Sequence, residues 1–304
     1  GRPTPPPEAG PPRPQLRIVE KRVYRGPNVW SYEQAIHLVV DLGILEEYPS
    51  NTLPGFVDQL LEWLPGLQQH TCSRGRPGGF VERLREGTWM GHVAEHIALA
   101  LQAEAGHDLR RGKTRQVPGE KGRYNVIYGY LDERVGLAAG ELAVRIVNNL
   151  VEREPGFDFR EQLDEFLRLA QRTAFGPSTS AILEEAAARD IPYIRLNQYS
   201  LVQLGQGRYQ QRIRATMTSR TSALAVDIAG DKALTNQLLS SVGLPVPQSH
   251  TVRTEDDAVA MARRIGYPVV VKPLDGSHGR GVGIDLRDEA AVRALVPVAR
   301  EESR

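Results

Sequence analysis

The sequence predicts an α/β protein, in which an α+β N-terminal domain is followed by a second domain of alternating helices and strands. Two patterns carry this prediction. Apolar residues recur at three- and four-residue spacing over several segments, and short apolar runs bounded by glycine and proline lie between them. Composition agrees, because 40% of the 304 residues are hydrophobic and 25% are charged, which is enough apolar material for a packed core.

Proline marks both ends of the predicted N-terminal domain. Seven of the 21 prolines lie in the first fourteen residues, so residues 1–15 are expected to form a disordered, extended tail. The α+β domain is predicted over residues 16–155, since Glu154-Pro155-Gly156 favours a break in the chain. Residues 156–304 are then the second domain.

The elements follow in order along the chain. The first domain is predicted to contain a strand from Leu16, helices over Tyr32–Leu42 and Phe56–Trp63, a loop over Gly75–Gly79, a helix over Thr88–Glu104, a strand over Tyr124–Tyr130 and a helix from about Val135 to Val151. The second is predicted to contain helices over Phe159–Arg172 and Ser180–Arg189, strands over Tyr193–Leu196 and Ser200–Gln203, a helix from Asp231 and a strand over Pro268–Val271. The helix Thr88–Glu104 has the clearest period in the chain.

Charge and cysteine content exclude several kinds of partner. The 38 Lys and Arg against 37 Asp and Glu leave a formal charge of +1, so no bulk charge attracts a nucleic acid or a membrane surface. The only cysteine, Cys72, excludes an internal disulfide framework and a zinc site with several cysteines. No apolar run approaches the roughly 18 residues that span a bilayer. We therefore expect a cytoplasmic protein with no nucleic-acid or membrane partner.

A lysine and a glycine-rich loop follow a short apolar strand in the second domain. The strand Pro268–Val271 delivers Lys272 at its end, and the loop Asp275–Gly281 contains three glycines, whose backbone N–H groups can close over phosphate oxygens. Either feature alone is a weak signal, because loop glycines more often serve turns and surface lysines are more often solvated. Together they predict a nucleotide site. By contrast, Gly112-Lys113-Thr114 lacks a glycine at the spacing of a phosphate loop.

These residues resemble a known family. The pattern DKxxT, GLPVP, YPVVVKP and GxxGRGV resembles the first part of the ATP-grasp carboxylate–amine ligases. Within them the closest resemblance is to the cyanophycin synthetases, through RGPNVWS, the block HTCSRGRPGGFVERLREGTWMGHVAEHIALALQ, GKTR, FGPSTSAI and RATMTSRTSALAVDIAGDK. The resemblance covers nearly the whole chain after the tail.

The resemblance implies an activity, cofactors and partners. A carboxylate of an aspartate–arginine polymer (cyanophycin) is phosphorylated by ATP, with Mg²⁺, and is then attacked by the amine of aspartate. The fold implied for residues 156–304 is an incomplete ATP-grasp domain, and the assembly implied is a homotetramer. Family members continue into a lobe that holds Mg²⁺ and a domain that adds arginine. We therefore expect the 304 residues alone to be inactive as a ligase.

The resemblance also implies roles for individual residues. Lys232 and Lys272 contact adenine and phosphate, and Ser178 holds the terminal carboxylate of the polymer. The phosphate-covering loop consists of Gly276, Ser277, His278, Gly279, Arg280 and Gly281. Asp227 stands five residues before Lys232, where the family usually has glutamate, and would meet the incoming amine. A solvated or helix-capping acid is the alternative interpretation of Asp227.

Four arginines lie close together between residues 208 and 220. Guanidinium groups suit carboxylates because two N–H donors meet two oxygens. Arg212 and Arg214, with Arg208 and Arg220 nearby, are therefore predicted to bind the acidic polymer. A solvated strand face is the alternative.

The best predicted helix carries a possible metal motif, HxxEH, over residues 92–96. The imidazoles of His92 and His96 project from one side of the helix and can bind zinc, while Glu95 takes a proton from the attacking water. Glu141 is the first candidate for a third ligand and His70 the second. The alternative is a pair of hydrogen-bonded histidines at the margin of a core helix.

Three further interpretations remain open. Cys72, close to His70 in the sequence, is either a thiol nucleophile or a small buried residue. Some members of the resembled family have a hydrolytic site in this domain that cuts polymer into primers. This resemblance favours the interpretation of HxxEH as a zinc site. The whole chain is otherwise a catalytically silent polymer-binding or assembly module, or another ATP-grasp carboxylate–amine ligase of the dipeptide or peptidoglycan type.

Overall fold

The structure is a computed structural model that describes residues 15–152, 156–274 and 279–302. The predicted tail therefore lies almost wholly outside the described residues. The chain divides into two compact units, Gly1–Thr216 and Met217–Arg304. None of the helices in the described part of the chain has the length and apolar character needed to cross a membrane.

The first unit contains two antiparallel sheets and six α-helices among its described residues. The larger sheet has the order β1-β2-β4-β3, with β1 Arg17–Tyr24, β2 Ala35–Asp41, β3 Gly112–Gln116 and β4 Arg123–Gly129. The smaller contains β5 Tyr193–Arg195, β6 Leu201–Leu204 and β7 Gln211–Arg214. The helices are α1 Phe56–Trp63, α2 Gly79–Glu86, α3 Met90–Glu104, α4 Glu133–Glu152, α5 Phe159–Thr173 and α6 Pro177–Ala188. Short 3₁₀ turns cover Gly43–Glu47, Ser50–Thr52, Pro65–Gln69, Cys72–Arg74 and Gly207–Tyr209.

The predicted helix over Tyr32–Leu42 is wrong, because this segment contains β2. The strand pairs with β1 on one side and β4 on the other, and Ile36, Leu38 and Val40 enter the main core. A buried central strand has no polar face to reveal its period of two, so the run was open to either interpretation. Pairing on both sides decides it.

The predicted helix over Thr88–Glu104 is confirmed as α3, and it packs at the centre of the first unit. Every residue from Met90 to Gln102 except His92 is buried. Neighbouring α4 approaches the sheet closely at Gly140, where a Cβ would lie 2.1 Å from the hydroxyl of Tyr128 and 2.7 Å from Leu38. Only glycine allows this approach.

Helix α5, which follows the predicted domain boundary at residues 155 and 156, packs on the main core. The ring of Phe159 stacks on Trp63 with centroids 4.8 Å apart and planes inclined by 2°, and Phe166 and Ala170 join the same core. Asp158 caps the helix by accepting the N–H groups of residues 160 and 161. The first compact unit thus continues past residue 155.

The second unit has a small core of its own. Its elements are β8 Met217–Thr218, α7 Ala223–Gly230, α8 Lys232–Ser241, α9 Glu255–Ile265, β9 Val269–Val271, β10 Gly283–Leu286 and α10 Glu289–Glu301. Strands β9 and β10 pair antiparallel, and Val259, Val292 and Val296 are buried between the helices and this hairpin. The predicted strand before Lys272 is confirmed as β9.

Candidate functional site

Cys72, His92 and His96 bring three metal-binding atoms together at α3. One ligand atom from each residue lies within 4.8 Å of the other two, and the Nε2 atom of His92 is 3.3 Å from the Sγ atom of Cys72. His92 and His96 are one helical turn apart, with ring centroids 4.8 Å apart. We call these three residues the Cys-His-His cluster.

A closed loop brings Cys72 to the helix. The N–H of Phe80 donates to the carbonyl oxygen of His70 at 3.1 Å, which ties together the two ends of the loop. Gly79 permits this closure, since a Cβ there would lie 2.2 Å from the carbonyl oxygen of Thr71. Cys72 itself has a φ of 49°, a sparsely populated conformation for a residue other than glycine.

The other ring nitrogen of each cluster histidine is already occupied. The Nδ1 atom of His92 is 2.9 Å from the hydroxyl of Thr88, and the Nδ1 atom of His96 is 2.8 Å from the Nδ1 atom of His70. Both rings therefore have Nε2 left for a ligand. Such outer hydrogen bonds orient the ligating imidazoles in metal sites.

Glu95 lies beside the cluster in a fixed, buried position. Its Oε2 atom accepts the hydroxyl proton of Thr114 at 2.6 Å, and its Oε1 atom is 4.0 Å from the Nε2 atom of His96. Gly112 leaves room for the carboxyl group, because a Cβ there would lie 2.2 Å from Oε1. Burial raises the pKa of Glu95 to about 7, although the bond from Thr114 opposes the shift.

Burial also keeps the cluster histidines neutral. Desolvation, with a smaller contribution from Arg83, lowers the pKa of His92 to about 4. Desolvation likewise holds the pKa of His96 well below its usual value, and the ring of Phe80 stacks on His96 at 3.8 Å. Neutral imidazole is the form that binds metals.

The cluster fits zinc by donor type and nearly by distance. Thiolate and imidazole are the ligands that zinc prefers, and with bonds of about 2.3 and 2.0 Å a tetrahedral site separates its donors by roughly 3.3–3.5 Å. The 3.3 Å contact between Cys72 and His92 matches this spacing. The three ligand atoms lie within 4.8 Å of one another, so they would have to move slightly closer together to bind one zinc ion.

The structure does not bring Glu141, the first predicted third ligand, to the cluster. Its Oε1 atom is 2.6 Å from the Nζ atom of Lys21, and both side chains are half exposed. His70, the second candidate, contacts His96 but is not one of the three residues of the Cys-His-His cluster. The third donor is instead Cys72, which sequence reasoning placed beside His70 as a thiol.

Thr88, Gly112 and Thr114 were also missed as parts of this site. Thr88 stands four residues before His92, so helical spacing was the signal for it. Gly112 and Thr114 lie on β3, in the segment that looked like the end of a phosphate loop. Nothing local in the sequence connects them to Glu95.

In the second unit, Lys232 lies against the segment that carries Lys272. Its ammonium donates to the carbonyl oxygen of Leu274 at 2.9 Å and is 3.4 Å from that of Pro273. Lys272 directly precedes Pro273, at the end of β9. Asp231 begins α8 by accepting the N–H groups of residues 233 and 234, which sets Lys232 in the first turn.

The predicted phosphate-covering loop is described only in part. Gly276, Ser277 and His278 lie outside the described residues. Gly279 and Gly281 have φ angles of 74° and 62°, which glycine adopts without strain. The Nε atom of Arg280 is 3.7 Å from a carboxylate oxygen of Glu302.

The predicted substrate residues are exposed. Ser178 lies in the first turn of α6, where backbone N–H groups point out of the helix. Arg212 and Arg214 flank buried Ile213 on β7 and so share the outer face of the strand. Within the described part of the chain, no hydrogen bond joins Ser178 to either arginine. Asp227 is exposed on α7, in the second unit.

Comparison with known proteins matches both units to families. Residues 37–152 match the cyanophycin synthase-like N-terminal domain, and residues 231–304 match the ATP binding domain of the carbamoyl-phosphate synthase L chain. The chain is 42% identical over 294 residues to cyanophycin synthetases of Synechocystis sp. (strain ATCC 27184 / PCC 6803 / Kazusa) and Trichormus variabilis, covering 95% of this chain and 34% and 32% of theirs.

The chain therefore spans about a third of the length of the curated relatives that it matches. Among solved structures, a bifunctional glutathione synthetase from Pasteurella multocida has 12% identity and a TM-score of 0.28, over 90% of this chain and 56% of that chain.

Proposed function

We propose that the chain takes part in the ATP-dependent addition of aspartate to an aspartate–arginine polymer, because it matches the cyanophycin synthase-like N-terminal domain and an ATP binding domain and is similar to cyanophycin synthetases. The contact of Lys232 with the carbonyl oxygen of Leu274 carries this proposal. Through this contact Lys232 lies beside the two residues that directly follow Lys272, as is required if both lysines are to contact the phosphates of one nucleotide.

In the proposed reaction, a carboxylate oxygen of the polymer attacks the γ-phosphorus of ATP and releases ADP, leaving an acyl phosphate. The amine of aspartate then attacks the acyl carbon, forms the amide bond, releases phosphate and gives up a proton. Lys232 and Lys272 neutralise charge on the nucleotide, which Mg²⁺ accompanies. Ser178, Arg212 and Arg214 are proposed to hold polymer carboxylates, and Asp227 to meet the incoming amine.

Nucleotide binding by the 304-residue chain tests this proposal. Replacing either lysine, in Lys232→Ala or Lys272→Ala, is expected to weaken binding of a fluorescent ATP analogue about tenfold or more, because a charged hydrogen bond is lost. Lys113→Ala, in the first unit, is the control and should bind as the wild type does. Equal binding by all four proteins would contradict the proposal.

A second function is favoured by the Cys-His-His cluster. We propose that it holds zinc and that the site hydrolyses amide bonds of the same polymer. Cys72, His92 and His96 would hold the ion, which would supply Lewis-acid chemistry at the carbonyl group of the amide. Glu95, next to His96, accepts a proton from the attacking water and returns it to the leaving nitrogen, so that the amide is split into a carboxylate and an amine.

Metal analysis and polymer digestion test the second function. Zinc content should fall in Cys72→Ala and in His96→Ala and stay unchanged in Glu141→Gln, the control for the ligand that the sequence favoured. Soluble polymer should be shortened by the zinc-loaded chain and not after chelation. Polymer that is bound but never shortened would instead indicate a silent binding module.

A further inference from the structure

His70 touches the Cys-His-His cluster without supplying one of its three donors. Its Nδ1 atom is 2.8 Å from the Nδ1 atom of His96, and the two rings are tilted by 44° with centroids 5.1 Å apart. At this distance the contact is a hydrogen bond, so one ring donates its N–H and the other accepts.

Two neutral imidazoles can satisfy this bond in only two ways, since each has a single N–H. In the first, His96 donates from Nδ1, its Nε2 is bare, and the proton of His70 lies on Nε2. In the second, His70 donates from Nδ1, and the proton of His96 lies on Nε2. The proton count is the same in both, but only the first leaves the Nε2 atom of His96 free to bind a metal.

We propose that His70 is a positioning residue for the Cys-His-His cluster, whose Nδ1 atom accepts the Nδ1 proton of His96 and thereby fixes the tautomer in which the Nε2 atom of His96 binds the metal. This inference rests on the zinc function proposed above. It adds a distinct consequence: metal binding at His96 selects the tautomer of a second histidine that the metal does not touch.

The backbone holds His70 in place for this role. Its N–H donates to the carbonyl oxygen of Leu67, and its own carbonyl oxygen accepts the N–H of Phe80, both at 3.1 Å. The ring of Phe80 stacks on His96. The loop from His70 to Phe80 therefore positions His70, the proposed acceptor, and through the ring of Phe80 also contacts His96, the proposed donor.

Thr88 provides the matching contact for the other histidine. Its hydroxyl is 2.9 Å from the Nδ1 atom of His92, whose Nε2 atom faces Cys72. In both cluster histidines Nδ1 thus contacts an outer group, which leaves Nε2 as the nitrogen for the metal. Outer partners of this kind typically contribute about 10- to 100-fold to metal affinity.

Histidine tautomers, measured by ¹⁵N NMR on the 304-residue chain with and without zinc, test the proposal directly. In the zinc-loaded protein we expect the proton of His96 on Nδ1 and that of His70 on Nε2. A merely structural His70 would not change tautomer with the metal. A proton on the Nδ1 atom of His70 in the loaded protein would overturn the proposal, and a wild type that binds no zinc would overturn it together with the zinc function.

Zinc affinity of variants provides a second measurement. His70→Leu removes the acceptor and should bind zinc about 10- to 100-fold more weakly, while His70→Gln, whose amide oxygen can accept, should lose less. His107→Leu removes another half-buried histidine and should bind zinc as the wild type does. Unchanged affinity in folded His70→Leu would overturn this inference alone, because zinc binding by the wild type would still stand. If His70→Leu does not fold, the tautomers of the wild type decide.

Discussion

The carboxylate of Asp132 joins the start of α4 to Arg195 on β5. Its Oδ1 atom accepts the N–H of Arg134 at 3.0 Å, and its Oδ2 atom accepts from the Nη1 atom of Arg195 at 2.7 Å. Side-chain exposure is only 10% for Asp132 and 17% for Arg195. The guanidinium also lies 4.0 Å above the ring of Phe175, in the segment that leads to Ser178. One largely buried ion pair thus connects the helix of the main core with the smaller sheet.

Removing Arg195 should destabilise the first unit. Arg195→Met takes the charged hydrogen bond at 2.7 Å from the carboxylate of Asp132 and leaves Arg134, at 3.6 Å, as its remaining cationic partner, a change that should cost about 1–3 kcal/mol. Arg25→Met breaks the more exposed pair with Glu133 and should cost about 0–1 kcal/mol. Urea unfolding of both variants measures the difference. Equal losses would show that the buried pair contributes no more than the surface one.

Gly79→Ala should weaken zinc binding, because the added Cβ would lie 2.2 Å from the carbonyl oxygen of Thr71 and force open the loop that presents Cys72. The expected loss of stability is about 1–3 kcal/mol, as for other overpacked sites. At Gly176 a Cβ meets nothing within 4 Å and φ is −63°, so Gly176→Ala is the control. Titration with zinc and thermal unfolding check both, and a Gly79→Ala protein with wild-type affinity would contradict this account of the loop.

Glu95→Gln should separate metal binding from hydrolysis. The amide keeps the shape of the side chain and can still accept the hydroxyl proton of Thr114, so zinc content should not change. It cannot take up the proton of water, and loss of a general base typically slows a reaction about 10²- to 10⁴-fold. The rate of polymer shortening measures this, with Glu104→Gln at the exposed end of α3 as control. A digestion rate equal to that of the wild type would remove Glu95 from the mechanism.

Below about pH 6.5, stability should fall in part through His37. Its Nε2 atom bonds to the Oδ1 atom of Asn125 at 2.8 Å, while its buried Nδ1 atom has no partner among the described residues. Burial lowers the pKa of His37. The hydrogen bond with Asn125 opposes this shift, and the weaker effects of the charges on Arg22 and Glu20 respectively lower and raise the pKa. The unfolded chain therefore takes up this proton more readily than the folded one.

The sign follows from that difference. The stabilisation from neutral His37 is complete above the unfolded pKa of about 6.5 and is lost as the pH falls from there towards the lowered folded value, by at most about 1.4 kcal/mol per pH unit. Unfolding free energies at pH 7 and pH 5 should differ less in His37→Gln than in the wild type, and His250→Gln, at an exposed position, should behave as the wild type. The same pH dependence in all three proteins would refute the role of His37.

Local geometry explains which parts of the site the sequence could predict. An α-helix places residues i and i+4 on one side whatever surrounds it, so HxxEH was enough to pair His92 with His96. The strand before Lys272 was likewise predictable from its short apolar run and the turn residues around it. Both inferences need only neighbours in the sequence.

The third donor needed the folded chain. Glu141 was the expected ligand because its acidic side chain lies on a later helix, yet that helix directs it to Lys21. Cys72 reaches His92 because the loop ending at Phe80 closes on His70, a contact that no periodicity reveals. The same holds for β2, whose pairing with β1 and β4 decided between strand and helix.

By itself, then, the sequence determined the family resemblance, the central helix with its two histidines, and the lysine and glycines after β9, since each is written in adjacent residues. Only the tertiary structure decided that Cys72 completes the cluster, that His70 and Thr88 hold its rings, and that α5 belongs with the main core. Those relations join residues distant in the chain, and their energies come from burial and hydrogen bonds that exist only once the chain has folded.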